Sequence, residues 1–256
     1  LKQDRSNFMD NENHKNTWNN FTGTSGAIYD ITSEYYSVPL SSGVVSIHSS
    51  GTGFTIKKSD GTIFTWGASV SVSATPTEPI TTTLYSNEWN WATIKTDGSI
   101  VNWGRTTYFP STSVEAELSS GVYTKIACAR SAMAALKDDG SVVTWGFSTY
   151  GGDSSSVAAQ ISSNVKDLFS NHYGFAALKT DGSLVTWGSS WAGGDSSAVV
   201  ASLTSGVVSV IGGGYTMHAI KSDGTVISWG EQSRGGNSTG VDFSGSSSIS
   251  SYGGNS

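Results

Sequence analysis

Charge is what this sequence has least of. Asp, Glu, Lys and Arg make up 13% of its 256 residues, about half the usual share. The balance is acidic, with a net charge of −6. A duplex nucleic-acid binder presents a basic face to the phosphates, so no nucleic-acid partner is expected, and no strongly anionic membrane surface. No apolar run reaches the roughly 18 residues that a membrane span needs. Cysteine is nearly absent. Cys128 stands alone, which rules out an internal disulfide framework and a cysteine metal cluster; in Ile126-Ala-Cys-Ala it reads as a small buried residue. The four histidines, His14, His48, His172 and His218, occupy unrelated contexts without metal-ligand spacing. No Gly-x-Ser-x-Gly elbow sits on a strand–turn–helix pattern. No catalytic residues, metal or cofactor are therefore expected, and the chain reads as a non-enzyme.

Aromatic residues are not lacking. Nine Trp, ten Tyr and nine Phe separate this chain from disordered polar sequences, which have too little apolar surface to pack. Two sequons, at Asn20 and Asn237, permit N-glycosylation in a secreted protein. The chain starts at Leu1 with no basic-then-apolar leader, which reads as a processed chain or a segment of a longer one.

Repetition dominates the sequence. Leu178-Lys-Thr-Asp-Gly-Ser-Leu-Val-Thr-Trp-Gly has near-copies ending at Gly67, Gly104, Gly146 and Gly230. A Ser-Gly-Val-Val-Ser-Ile segment at Ser42–Ile47, with a copy at Ser205–Val210, precedes the motif. Gly-Gly-Asp-Ser-Ser follows it at Gly151 and Gly193, and Gly-Gly-Asn-Ser-Thr at Gly235. Alternating β-branched runs around Asp-Gly predict hairpins with two-residue type I′ turns. Leu184 and Thr186 should face one way, and Val185 and Trp187 the other. No persistent helical period appears. Units of about 42 residues, with three or four strands each, match the blade of a β-propeller.

The expected fold is an all-β propeller forming a single domain over 1–256. Six blades are counted, or seven if the irregular segment 11–39 is a degenerate blade; within it, Phe21–Ile31 suggests a weak hairpin turning at Gly26. Leu1–Met9 resembles the repeat's hairpin, and Ser244–Tyr252 is a weak copy of its first strand. Pairing of the two chain ends is expected to close the ring, or to join one chain to the next in a surface filament.

Val-x-x-Ile, then Ala-Leu-Lys-x-Asp-Gly-Ser-Val-Val-Thr-Trp-Gly, then a Gly-rich loop, resembles the regulator-of-chromosome-condensation repeat over about residues 40–256. The resemblance implies a propeller, commonly of seven blades, used mainly for protein–protein binding. There are departures. Many family repeats carry His where this chain has Gly53, Asn90, Ala132, Gly174 and Thr216, and Gly-Gly-Asp-Ser-Ser replaces the familiar Gly-Gln-Leu-Gly. The Gly-Trp-Arg-His-Thr motif of the family's photoreceptor is absent.

The repeated residues read as scaffold. The five Trp-Gly indoles should pack between blades. Lys58, Lys95, Lys137, Lys179 and Lys221 form a ring that the neighbouring Asp60, Asp97, Asp139, Asp181 and Asp223 should neutralise locally. Asp153, Asp195 and Asn237 fit turns better than calcium loops. Function is sought where the copies disagree. Arg105, Tyr108, Phe109, Phe147, Tyr150, Trp191 and Arg234 lie in loops after Trp-Gly. Trp89, Tyr173 and Tyr215 hold equivalent places before the middle strand. Tyr, Trp and Arg are the usual interface anchors, and rigid scaffolds carry function on loops. The expected role is binding to a protein partner or to copies of itself, at the cell surface or outside the cell, with glycan binding as an alternative.

Overall fold

The computed structural model of the chain describes residues 27–29, 35–37, 43–67 and 80–238. A short antiparallel pair, β1 (Ala27–Tyr29) and β2 (Tyr35–Ser37), precedes five three-stranded antiparallel sheets. Blade I is β3 (Val44–Ser49), β4 (Gly53–Lys58) and β5 (Ile63–Gly67). Blade II is β6 (Ile80–Ser86), β7 (Asn90–Lys95) and β8 (Ile100–Gly104). Blade III is β9 (Tyr123–Ala129), β10 (Ala132–Lys137) and β11 (Val142–Gly146). Blade IV is β12 (Val165–Ser170), β13 (Gly174–Lys179) and β14 (Leu184–Gly188). Blade V is β15 (Val207–Gly212), β16 (Thr216–Lys221) and β17 (Val226–Gly230). The ends of all five first strands line one cavity of about 990 Å³, which places those strands innermost. The sixth blade, its closure through Leu1–Met9 and Ser244–Tyr252, and Asn20 lie outside the described residues. The weak hairpin turns after Tyr29, not at Gly26, because Gly26 precedes its first strand.

The Asp-Gly turns differ from expectation in an instructive way. Type I′ needs positive φ at two successive residues, but only the glycines reach it, at φ between 80° and 87°. Gly61 N–H donates to the Lys58 carbonyl at 3.0 Å, and Lys58 N–H to Thr62 at 2.8 Å. The loop is thus three residues long, a tight turn followed by a left-handed glycine. Asp has a different task. Its carboxylate accepts from the backbone N–H two residues on, at 2.9 Å in all five turns, and these bonds and their hydroxyl partners hold the carboxyls below the usual range. The turn also couples blades. The carbonyls of Gly98, Gly140 and Gly182 accept from Tyr123, Val165 and Val207, which start the next blade.

The core lies between blades. In β10, Ala134 and Leu136 pack toward blade IV with Leu168, Phe175 and Trp187, while Met133 and Ala135 pack toward blade II with Ala92 and Trp145. This two-sided burial explains the runs of alanine, because large side chains on both faces would hold the sheets apart. Three of the Trp-Gly indoles reach back to the preceding blade. Trp103 Nε1 donates to Thr65 Oγ1 at 2.8 Å, Trp187 to the Gly151 carbonyl at 3.0 Å, and Trp229 to that of Gly193 at 2.9 Å. Trp145 Nε1 has no such partner: the loop before blade III reads Tyr108-Phe-Pro and lacks the Gly-Gly carbonyl.

No fourth strand forms in the connections between blades II and V. They carry a helix, α1 (Thr112–Ser120), and 3-10 turns at Ser155–Val157 and Ser197–Leu203. Each connection places one apolar side chain between two blades: Leu118, Ile161 or Leu203, all at most 2% exposed. One anchor per connection is too sparse for a helical period, which is why α1 leaves no mark in the sequence pattern.

His218 departs from the alanines found at its place in blades II to IV. Its ring bonds to Ser228 at 2.8 Å and Thr216 at 3.1 Å, and burial lowers its pKa from 6.5. The folded state therefore disfavours the proton that the unfolded state accepts. The stabilising effect is complete above about pH 6.5 and is lost as pH falls from there through the folded value. Melting temperatures between pH 7.5 and 5 should fall less steeply for His218→Asn than for the natural chain; equal slopes would remove His218 from the acid response.

Candidate functional site

Two sets of loops meet at one end of the blades. Each first strand ends, and each third strand ends, on the side opposite the Asp-Gly turns, because the strands alternate in direction. The loops before the middle strand and those after Trp-Gly therefore share a face. That face gathers nine of the ten candidate residues.

The left-handed Gly151 and Gly193, at φ 97° and 99°, end the 3-10 turns that follow blades III and IV. Each turn lifts its aromatic residues off the sheet. Seven rings then run across blades II to V in an unbroken row. Trp89 lies 6.2 Å from Tyr108, Tyr108 lies 6.1 Å from Phe147, and Phe147 4.9 Å from Tyr150. Tyr150 lies 4.9 Å from Tyr173, which meets Trp191 at 4.9 Å and Tyr215 at 5.3 Å. The Arg105 guanidinium stands 4.6 Å from the Trp89 ring at one end, and that of Arg234 stands 4.0 Å from Tyr215 at the other. Phe109 follows the first turn, half-buried, and is not part of the row.

The row has a foundation and two prominences. Tyr173 is 6% exposed, whereas Phe147 is 40% and Trp191 49% exposed. Aromatic contacts of this kind each contribute about 0.5–1.5 kcal/mol beyond area burial, so the rings brace one another. Large rings held exposed cost little further ordering on binding.

Beside the row is the mouth of the cavity that the first strands line, which the sequence did not reveal. One position at the tip of the first-to-second-strand loop carries Gly51, Glu88, Arg130, His172 and Gly214 in turn. Glu88 N–H donates to the Arg130 carbonyl at 3.0 Å, and Arg130 N–H to that of His172 at 2.8 Å. The Arg130 side chain donates to the Glu88 carboxylate and, at 3.3 Å, to Tyr173 Oη. Glu88 raises the Arg130 pKa further. The repeat-to-repeat variation at this one position was the available signal.

The other candidates resolve into structure. Lys95 pairs with Asp97 of its own turn at 3.3 Å, and the charge of the neighbouring lysine helps to lower the carboxyls of Asp60, Asp139, Asp181 and Asp223, while three of these lysines also reach beyond the turn. Lys137 pairs with Glu117 of α1 at 3.1 Å. Lys179 donates to the carbonyls of Gln160 and Ser163, and Lys221 to that of Ser202 at 3.1 Å. These lysines tie down the ends of the connections, where unpaired carbonyls accumulate. Asp153 and Asp195 accept from the backbone N–H of Ser155 and Ser197 at 2.9 and 2.8 Å, as turn residues do, and Asn237 is exposed. Among the described residues no group of three or more His, Cys, Asp and Glu side chains could hold a metal, and no helix is long and apolar enough to cross a membrane. Cys128 is half-buried beside the cavity, and burial pushes its thiol up to about 12.

No protein-family profile and no curated sequence matches the chain. Solved structures do. The receptor-kinase CR4 ectodomain of Physcomitrella patens is 18% identical, with a TM-score of 0.49 over 72% of this chain and 52% of that one. Yeast RCC1 (Prp20), solved bound to Kap60, is 14% identical, with a TM-score of 0.49 over 73% and 56%. Human WBSCR16 is 14% identical, with a TM-score of 0.46 over 73% and 61%. The chain spans about half to three fifths of the length of these proteins. The likeness is one of fold alone.

Proposed function

We propose that this chain is a non-enzymatic binding module that docks a protein partner on its aromatic face. The observation that carries this reading is the continuous row of seven rings with an arginine at each end. Residues repeated in every blade are consumed by turns, blade contacts and connections; the row is built from residues that do not recur in every blade. The mechanism is shape complementarity, with Phe147 and Trp191 as anchors and Arg105 and Arg234 at the rim. The test is capture from the source's own extracts by the natural chain and by a Phe147→Ser/Trp191→Ser double variant that circular dichroism shows to be folded at the temperature of the experiment. A partner retained by the first and lost by the second is expected; equal capture by both would refute the proposal. Binding to a glycan array would instead favour a carbohydrate ligand, because the Trp191 indole is half exposed.

The finer reading is a location at the cell surface or outside the cell. The exposed sequon at Asn237 supports it. Enzymatic deglycosylation of the protein from its natural source should lower its mass, and an unmodified Asn237 would count against this location.

A further inference from the structure

We infer that the aromatic row receives an extended acidic segment of its partner, with carboxylates seated at both ends and apolar side chains between. This rests on the docking reading above and names the partner's chemistry.

The charge pattern of the row comes first. Arg105 and Arg234 lie over rings at 4.6 and 4.0 Å, and neither forms an ion pair among the described residues. Arg130, between them, is already engaged by Glu88. The acid nearest in sequence to Arg234 is Glu231, and its carboxylate accepts from the backbone N–H and hydroxyl of Ser233 at 3.3 and 3.0 Å. Glu231 thus caps its own turn. A guanidinium stacked on a ring has its plane fixed, and its N–H groups point outward from the edge. That is the arrangement that binds a carboxylate through two parallel hydrogen bonds. The chain as a whole is acidic, at −6, so attraction is confined to these two points and is not a long-range field.

The shape of the row fixes the rest. From Trp89 to Tyr215 there are five ring-to-ring steps of 4.9 to 6.2 Å. At about 3.3 Å per residue, an extended chain crosses that distance in on the order of eight residues. Its middle part meets rings only, which suits proline and aliphatic side chains. An acidic polysaccharide shares the end charges but fits the middle less well. Tyr108–Phe147, Phe147–Tyr150 and Tyr150–Tyr173 meet at 86°, 69° and 76°, so faces alternate with edges and interrupt any series of flat platforms for sugar rings.

The test uses the whole chain and fluorescein-labelled peptides of about twelve residues, with paired glutamates at both ends and a proline–leucine centre. Fluorescence anisotropy should show binding of this peptide and at least about tenfold weaker binding of the same peptide with lysines replacing the glutamates. Arg105→Gln and Arg234→Gln should each weaken binding several-fold. The double variant should lose the preference for glutamate while keeping its melting temperature. Absence of binding, equal binding of the glutamate and lysine peptides, or binding of a polyuronate with none of the peptide would overturn the inference. If those results came with partner capture still dependent on Phe147 and Trp191, the inference would fail while the docking reading stood; loss of that dependence would defeat both.

Discussion

Replacing Trp187 with alanine lowers the free energy of unfolding by about 3–5 kcal/mol, whereas Trp191→Ala, which loses two ring contacts on a half-exposed side chain, lowers it by only about 1–2 kcal/mol. The two tryptophans lie four residues apart and have opposite surroundings. Trp187 is 3% exposed, stacks on Phe175 at 5.3 Å and 22°, and donates to the Gly151 carbonyl. Its removal opens a cavity between blades III and IV and leaves that buried carbonyl without its donor. At roughly 25 cal/mol per Å², the 150–250 Å² that a buried tryptophan covers gives the same order of effect. Trp187→Phe keeps most of the apolar contact and loses the hydrogen bond, so it should cost about 1–3 kcal/mol. Guanidinium titration followed by circular dichroism measures all three variants. In repeat architectures stability divides between units and their interfaces, so Trp187→Ala should also broaden the transition as the two sides of that interface uncouple. A sharp transition at the natural midpoint would mean that the indole does not join these blades. Trp191→Ala serves as the counterpart: fold intact, docking face damaged.

That contrast shows what the sequence made legible. A motif that recurs with one spacing must serve what every blade needs, so the indole at Trp187 reads as scaffold from the sequence alone. Strand order and the facing of Val185 and Trp187 follow from alternation alone. The row was legible as a set of residues, since Trp89, Tyr150, Trp191 and Arg234 are departures from the repeat, but not as a row. Their continuity depends on the height of each 3-10 turn, and no periodicity encodes it. Partner choice was the least legible feature. Asp97 and Lys95 pair, but Lys179, with the same neighbours in sequence, turns to the carbonyls of Gln160 and Ser163. Those carbonyls are close only because the connection folds back over the hairpin. The Asp-Gly turn was recognised by composition and mistaken in type: Asp can occupy a left-handed position, but here its carboxylate is worth more as an acceptor for the backbone two residues on.

Gly152→Ala should be more damaging than Gly224→Ala in an exposed hairpin turn, and the comparison shows why. Gly224 has φ +86°, and a Cβ there would meet nothing within 4 Å. Alanine at that position incurs only the left-handed backbone penalty, about 1–2 kcal/mol. Gly152 lies outside the left-handed region, yet a Cβ would sit 2.4 Å from the Gly146 carbonyl oxygen and 2.5 Å from its carbon. Both are backbone atoms at the end of β11, and neither can rotate aside. Relief requires the loop to move away from the strand, at about 2–3 kcal/mol or more. The same loop holds the Gly151 carbonyl that receives the Trp187 indole, and Tyr150, which braces Tyr173. Gly152→Ala should therefore lower the melting temperature more than Gly224→Ala and weaken partner capture as well, while Gly224→Ala leaves capture unchanged. If the two variants melted alike, the Gly-Gly pair would be a flexible link, and the aromatic face would lose the rigid support from which its binding role is argued.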